Sequence, residues 1–294
     1  MDRRNFIKKG AIGLAGVSVL NSGLAEMNIS LPNDALIDKV PLGNTGMTVS
    51  RLAMGTGTVG FNHESNQTRL GMDNFVKLVH RAYERGIRFY DMADAYGSQP
   101  FVGAGIKALP RENITILTKM FTQEDKDENK ASVPEIINRF RKEIGVEYID
   151  VLLMHCMMSG GWSKTRTYYM DAFSKAKQDG IVKAVGVSCH NIDALREASE
   201  SAWVDVILAR INPFGSVMDG SPDEIKNIIG EARKNGKGIV GMKIFGEGKH
   251  VSEEEREQSL KFAIRESNVN CMTLGLESVA QIDDAVDRVI RLSK

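Results

Sequence analysis

Eight short apolar runs recur along the chain, each followed by a longer segment whose apolar residues return every three or four positions. The runs are RLAMG (51–55), RFYDMA (88–93), ITILTKM (114–120), IDVLLMH (149–155), VKAVGVS (182–188), VDVILARI (204–211), GIVGMKIF (238–245) and VNCMTLG (269–275). Runs this short and this uniformly apolar are strands buried on both faces, which requires a parallel sheet covered by helices. The intervening segments read as those helices. In DNFVKLVHRAYERG (73–86), Phe75, Leu78, Val79 and Ala82 share one face, and Gly86 is placed to cap the end. In ASVPEIINRFRKEIG (131–145), Ser132 is the expected N-cap, Pro134 sits in the first turn and Gly145 stops the helix. Further helices are predicted at 167–179, 192–201, 223–235, 252–267 and 278–292.

Eight such units predict an α/β fold, a closed (β/α)₈ barrel, and VPLGNTGMTVS ahead of the first run reads as an N-terminal β-hairpin. The rival architecture is an open doubly wound sheet. No dinucleotide fingerprint is read between the first strand and its helix, although glycines stand at 55, 57 and 60, so the barrel is preferred.

The first 25 residues do not fit this repeat. Arg3 and Arg4 precede Asn5, Phe6, Ile7 and Lys8; an uncharged run from Ala11 to Leu20 follows, and Gly23-Leu24-Ala25 offers a small-residue cleavage site. The segment resembles a twin-arginine export signal, whose usual form is Arg-Arg-x-Phe-Leu-Lys. Its apolar run is too short and glycine-rich for a permanent membrane span, which needs about 20 apolar residues. The expected organisation is a signal over 1–25, a linker over 26–39 and a barrel over 40–294. The resemblance implies delivery by export machinery to a periplasmic or other extracytoplasmic location.

The whole chain has 38 basic and 38 acidic residues. The signal segment holds four of the basic and one of the acidic residues, so without it the net charge is −3. No basic surface is implied, and nucleic acid is not an expected partner. Cys156, Cys189 and Cys271 are an odd number with no CxxC pair, so no disulfide framework is expected. A monomer or small homo-oligomer satisfies this composition.

In a barrel of this kind, chemistry belongs at the carboxyl ends of the strands. Those ends carry Asp91 with Tyr96 just beyond, Lys119, His155, Ser188-Cys189-His190, Lys243 and Gly275. A phenol with pKa near 10 donates a proton poorly at neutral pH unless a cation lowers that value. Lys119 is placed to do so, Asp91 to keep the lysine charged and oriented, and His155 to hydrogen-bond a substrate oxygen or relay a proton. Together they describe an acid that protonates a carbonyl oxygen while another group delivers hydride. His155-Cys156 and Cys189-His190 also make a zinc-like ligand set, but strand alternation keeps the four from converging, and no metal site is expected.

At this point DMADAYGS, ILTKM and LLMHCM resemble the catalytic segments of the aldo-keto reductase family. The resemblance runs from about Val40 to Leu292 and includes KVPLGNTGMTVSRLAMGTG and VKAVGVSCHN. It implies a (β/α)₈ barrel that reduces an aldehyde, ketone or sugar, or oxidises the alcohol, with NADP or NAD. Carried over by position, it makes Tyr96 the proton donor, Asp91 and Lys119 its activators and His155 the orienting group. It places Gly55, Thr56, Ser188, Cys189, Lys243, Phe245, Gly246, Gly275 and Gln281 against the cofactor.

The departures from the family pattern are local. Cys189, Leu208 and Met242 stand where the family commonly has Asn, Gln and Tyr, so two amide-reading groups and a stacking ring are missing. Gly275-Leu276 and Gln281, with Glu277 between them, replace the Lys-Ser and Arg that hold a 2′-phosphate in NADP-using members. NAD is therefore slightly favoured. SCHN and MKIFGEG look closer to the branch fused to ferredoxin-like domains, but the chain has no cysteine cluster for iron and sulfur. Two alternatives stay open at this stage: a non-redox binding barrel, and a sugar lyase or hydrolase. Among possible lid residues Trp162, Lys164 and Arg166, Trp162 is the expected substrate wall.

Overall fold

The computed structural model describes residues 36–126 and 132–294, and the expected signal over 1–25 lies outside them. Packing begins slightly before the predicted hairpin, with Ile37 buried. Lys39–Pro41 (β1) pairs antiparallel with Thr48–Ser50 (β2), with Val40 opposite Val49. Val40, Leu42 and Val49 cluster with Ala53, Phe89 and Leu117 from the barrel interior, so the hairpin closes the end of the barrel remote from the strand carboxyl termini.

Eight parallel strands follow: Leu52–Gly55 (β3), Phe89–Asp91 (β4), Thr115–Phe121 (β5), Ile149–Met157 (β6), Val182–Cys189 (β7), Val206–Arg210 (β8), Gly238–Met242 (β9) and Cys271–Gly275 (β10). Each pairs with the next, and β10 closes on β3 with Thr273 opposite Ala53. The two-residue period of a strand sorts their side chains. Phe89, Leu117, Val151, Leu153, Val206 and Val240 fill the interior, while Tyr90, Ile116, Leu152, Val185, Ile207 and Ile239 face the helices.

The helices are Asn66–Arg69 (α1), Met72–Glu84 (α2), Gln99–Ile106 (α3), Val133–Ile144 (α4), Trp162–Thr165 (α5), Thr167–Gln178 (α6), Ile192–Glu200 (α7), Pro222–Lys234 (α8), Glu253–Arg265 (α9) and Val279–Leu292 (α10). In α2, Phe75, Leu78, Val79 and Ala82 are buried as the spacing predicts, each large side chain contributing about 1.5–3 kcal/mol. Ser132 occupies the N-cap of α4 and Gly145, at φ 77°, ends it. Helix α3 has no counterpart among the predicted helices, because two glycines in QPFVGAGI weaken its intrinsic preference. Tertiary contact explains them. A Cβ on Gly103 would lie 2.6 Å from the Glu143 carbonyl oxygen, and one on Gly105 would lie 2.7 Å from Val79. Only glycine lets α3 sit this close to α4 and α2. Among the described residues no helix is long and apolar enough to cross a membrane.

Candidate active site

Asp91 ends β4, Tyr96 closes the single turn Asp94–Tyr96 just beyond it, Lys119 lies on β5 and His155 on β6. The topology therefore brings four neighbouring positions of the barrel mouth together. Lys119 is fully buried and forms an ion pair with Asp91, and its Nζ also donates to the Met92 carbonyl at 2.7 Å. Thr56 braces the carboxylate's own backbone: its Oγ1 donates to the Asp91 carbonyl at 2.9 Å and shares a 2.7 Å hydrogen bond with Ser98. The Tyr96 hydroxyl lies 3.4 Å from His155 Nε2, with the two rings edge to face. Phe121 stacks on the other side of His155, ring centroids 4.6 Å apart, and is itself half exposed.

Two glycines make room for the phenol. A Cβ on Gly57 would lie 2.3 Å from the Tyr96 ring, and one on Gly60 would lie 2.4 Å from it. Gly55, Gly57 and Gly60 do have the G-x-G-x-x-G spacing, yet the last two serve to seat a side chain.

The electrostatics differ in one respect from the sequence expectation. Lys119 Nζ meets the face of Tyr96, 5.0 Å from the ring centroid, and spends its hydrogen bonds on Asp91 and Met92. The Tyr96 pKa is accordingly raised well above 10, first by burial and then by the charges of Asp91 and Cys156, instead of lowered by the lysine. Burial, reinforced by Lys119, His190 and Lys243, pushes His155 down to about 2. At neutral pH the pair is thus a protonated phenol beside a neutral imidazole. His155 Nδ1 is buried without a hydrogen-bond partner, a cost of about 1–3 kcal/mol that a functional site can carry.

A break in β6 aims these groups. The pairing register with β7 shifts between Met154 and Met157, and Cys156 adopts φ 61°. Ser188 holds the bulge, accepting the Cys156 N–H at 2.8 Å. Cys156 Sγ then lies 3.6 Å from His190 Nε2. Cys189, one residue on from Ser188, points into the helix layer and is fully buried, so the four Cys and His side chains do not converge.

From Asp91 and Tyr96 a cleft of about 820 Å³ runs over Leu208 and Met242, passes between the segment Lys243–Val251 and the β10–α10 junction, and ends at Gln281 and Asp284. Of the residues expected at a cofactor, Gly55, Lys243, Phe245, Gly275 and Gln281 line it. Thr56, Ser188, Cys189 and Gly246 do not; they are buried behind its walls. Trp162 is also core and not a substrate wall: it is 1% exposed, and its indole N–H donates to the Ala194 carbonyl at 3.2 Å.

Charged groups along the cleft are ion-paired or hydrogen-bonded. Lys243 holds Glu247, and that carboxyl lies below its usual range as a result. Arg256 contacts Asp284 at 3.2 Å and donates to the Val251 carbonyl at 2.7 Å. Glu277 accepts from Asn66 at 2.9 Å, and its own N–H donates to Gln281 at 2.7 Å. Sequence reasoning missed Phe121, Arg256 and Asp284. Phe121 was reachable, because it follows Lys119 by two residues on one strand and must share its face. Arg256 and Asp284 meet only through the packing of α9 on α10 and left no local signal.

Volume and chemistry fit a dinucleotide. The cleft falls within the roughly 300–1,000 Å³ range of ligand sites. Its walls include the bare backbone of Gly55 and Gly275 and the first turn of α10, whose N–H groups favour an anion.

Fold and site define a (β/α)₈ protein with Asp91, Tyr96, Lys119 and His155 gathered at one end of a cleft of dinucleotide size. Residues 51–291 match the model of the Aldo/keto reductase family, and the chain belongs to that family. It is similar to L-galactose dehydrogenase of Arabidopsis thaliana, 24% identical over 288 residues that cover 85% of this chain and 88% of that protein. It is also similar to NADH-specific methylglyoxal reductase of Escherichia coli, 25% identical over 199 residues that cover 62% and 61%. Among solved structures, an aldo-keto reductase from Bombyx mori in complex with NADP superposes with a TM-score of 0.63 at 17% identity, covering 88% of this chain and 92% of that one. Family membership supports oxidoreduction with NAD or NADP.

Proposed function

We propose that the protein interconverts a carbonyl compound and its alcohol at the Tyr96 end of the cleft, with Tyr96 as the proton donor to the carbonyl oxygen. A nicotinamide nucleotide bound along the cleft supplies or accepts the hydride. The observation that carries the reading is the Tyr96 hydroxyl, 3.4 Å from His155 and beside the buried Lys119–Asp91 pair, at one end of a dinucleotide-sized cleft. The raised pKa of Tyr96 keeps the phenol protonated until a carbonyl oxygen gains charge beside it. Neutral His155 orients that oxygen, and Lys119, whose Nζ lies 5.0 Å from the Tyr96 ring centroid, is a cation beside the phenolate left behind. In the alcohol-oxidising direction the same groups receive the proton.

NAD suits the far end better than NADP. A 2′-phosphate seeks an unpaired cation, whereas Glu277 and Asp284 line that end and Arg256 is already engaged by Asp284. The printed specificity of the Escherichia coli relative points the same way. If Arg3 and Arg4 direct export, the enzyme works where free nucleotide is scarce, and it keeps one nucleotide bound, oxidising one substrate and reducing another in turn.

One observation favours a second reading, a non-redox binding barrel. Leu208 and Met242 make the cleft floor apolar where an amide-reading side chain would help hold a nicotinamide.

Purified protein lacking residues 1–25 should bind NADH or NADPH and consume it with at least one member of a panel of aldehydes, ketones and sugars. Failure to bind or turn over either nucleotide overturns the reductase reading and leaves the binding barrel.

A further inference from the structure

Outside the Tyr96 centre, one array of polar side chains ties three segments together. His250 Nε2 lies 2.7 Å from Ser216 Oγ, and His250 Nδ1 lies 3.0 Å from Glu255. Phe214 stacks on the imidazole at 3.9 Å and 18°. Ser216 and Phe214 belong to the loop between β8 and α8, His250 to the loop between β9 and α9, and Glu255 to the first turn of α9. The order Ser, His, Glu has the connectivity of a hydrolytic triad. Its packing argues otherwise, because a Cβ on Gly246 would lie 2.7 Å from His250 and 3.1 Å from Ser216. The backbone of the cleft wall therefore rests on the pair instead of leaving the hydroxyl open to a substrate.

That wall needs restraint. Between Lys243 and Val251 it contains two non-glycine residues with left-handed backbone, Lys243 at φ 59° and Glu247 at φ 58°, each conformation costing about 1–3 kcal/mol. Its near end is held by the Lys243–Glu247 pair and by buried Asn212, which donates to the Lys243 carbonyl at 3.1 Å and to the Ser216 carbonyl at 2.8 Å. Its far end is held by His250. Glu255 is fixed in turn by Ser252, whose N–H and hydroxyl it accepts at 3.1 and 2.8 Å. The next residue, Arg256, lines the cleft and reaches Asp284. One imidazole thus joins the far end of the wall to the helix that carries a cleft residue.

We propose that His250 is a positioning residue that locks the Lys243–Val251 segment over the nucleotide cleft and thereby sets how slowly a bound nucleotide leaves. The proposal rests on the nucleotide reading above. It predicts a separation of effects, since His250 touches neither the reacting end nor Tyr96.

The test loads wild type, His250→Ala, His250→Gln and Ser216→Ala with NADH. It measures dissociation by displacement with excess NAD, and the hydride step in a single turnover of the preloaded protein. His250→Ala should release NADH at least about tenfold faster, the scale of one or two lost hydrogen bonds, with the single-turnover rate unchanged within about twofold. His250→Gln, able to keep one partner, should fall between. Ser216→Ala, which removes only one hydroxyl, carries the test should His250→Ala fail to fold. Equal dissociation from wild type and variants overturns the proposal alone. A wild type that binds no nucleotide overturns both this proposal and the reading beneath it.

Discussion

The two ends of the cleft are built by opposite means. At the Tyr96 end, Lys119 and His155 stand on adjacent strands, Asp91 ends a third, and a fully buried ion pair fixes their spacing. At the other end, Lys243, Phe245, Glu247 and Arg256 stand on a loop and a helix start, held by exposed or half-exposed pairs such as Lys243–Glu247 and Arg256–Asp284. Buried pairing is costly to disturb and suits atoms that must meet within tenths of an ångström. Surface pairing contributes about 0–1 kcal/mol and suits a wall that must admit and release a ligand.

The contrast can be broken first at the buried pair. Lys119→Met leaves Asp91 buried without its partner and should destabilise the fold by about 3–5 kcal/mol in denaturant titration. Lys119→Met with Asp91→Asn should recover much of that loss. A single substitution as mild as a surface change would mean the pair is not sealed from water.

A smaller effect comes from pH. His155 is held neutral in the fold down to about 2, whereas in the unfolded chain it takes up a proton near 6.5. Below 6.5 the unfolded state therefore binds more protons, and stability falls with falling pH by about 1.4 kcal/mol per pH unit from this group. His190, pushed down to about 4 by burial and by Arg210, adds to the slope between 6.5 and 4. Above 6.5 both contributions are complete. His155→Gln should flatten the stability profile between pH 6 and 4, and an unchanged slope would contradict its buried neutral state. The smallest effect belongs to the outer end. Glu277→Lys should shift the ratio of NADPH to NADH affinity upward by about fivefold, the scale of one exposed charge contact, with little change in melting temperature.

Much of the fold is legible in local pattern. Short, uniformly apolar runs separated by segments of helical period point to the barrel, and Asp91, Lys119 and His155 are legible because strand ends in a barrel converge. What stayed hidden depends on contacts between distant segments. Helix α3 forms in spite of Gly103 and Gly105, since α2 and α4 demand them. Lys119 meets Tyr96 at the ring and not the hydroxyl, because the Met92 carbonyl competes for its protons. Cys189 faces the helices, a consequence of alternation that the motif comparison overrode. The array at His250 joins residues 34 apart on one side and 5 on the other, a spacing with no local signature.

In the proposed reaction, proton donation belongs to Tyr96 while nucleotide binding belongs to the rest of the cleft. Stopped-flow mixing of the NADH-loaded protein with an accepted carbonyl substrate tests it, wild type against Tyr96→Phe, following loss of the reduced nicotinamide absorbance. The account predicts a single-turnover rate about 10²–10⁴ lower for Tyr96→Phe, with NADH affinity unchanged. A variant that transfers hydride as fast as wild type would contradict it.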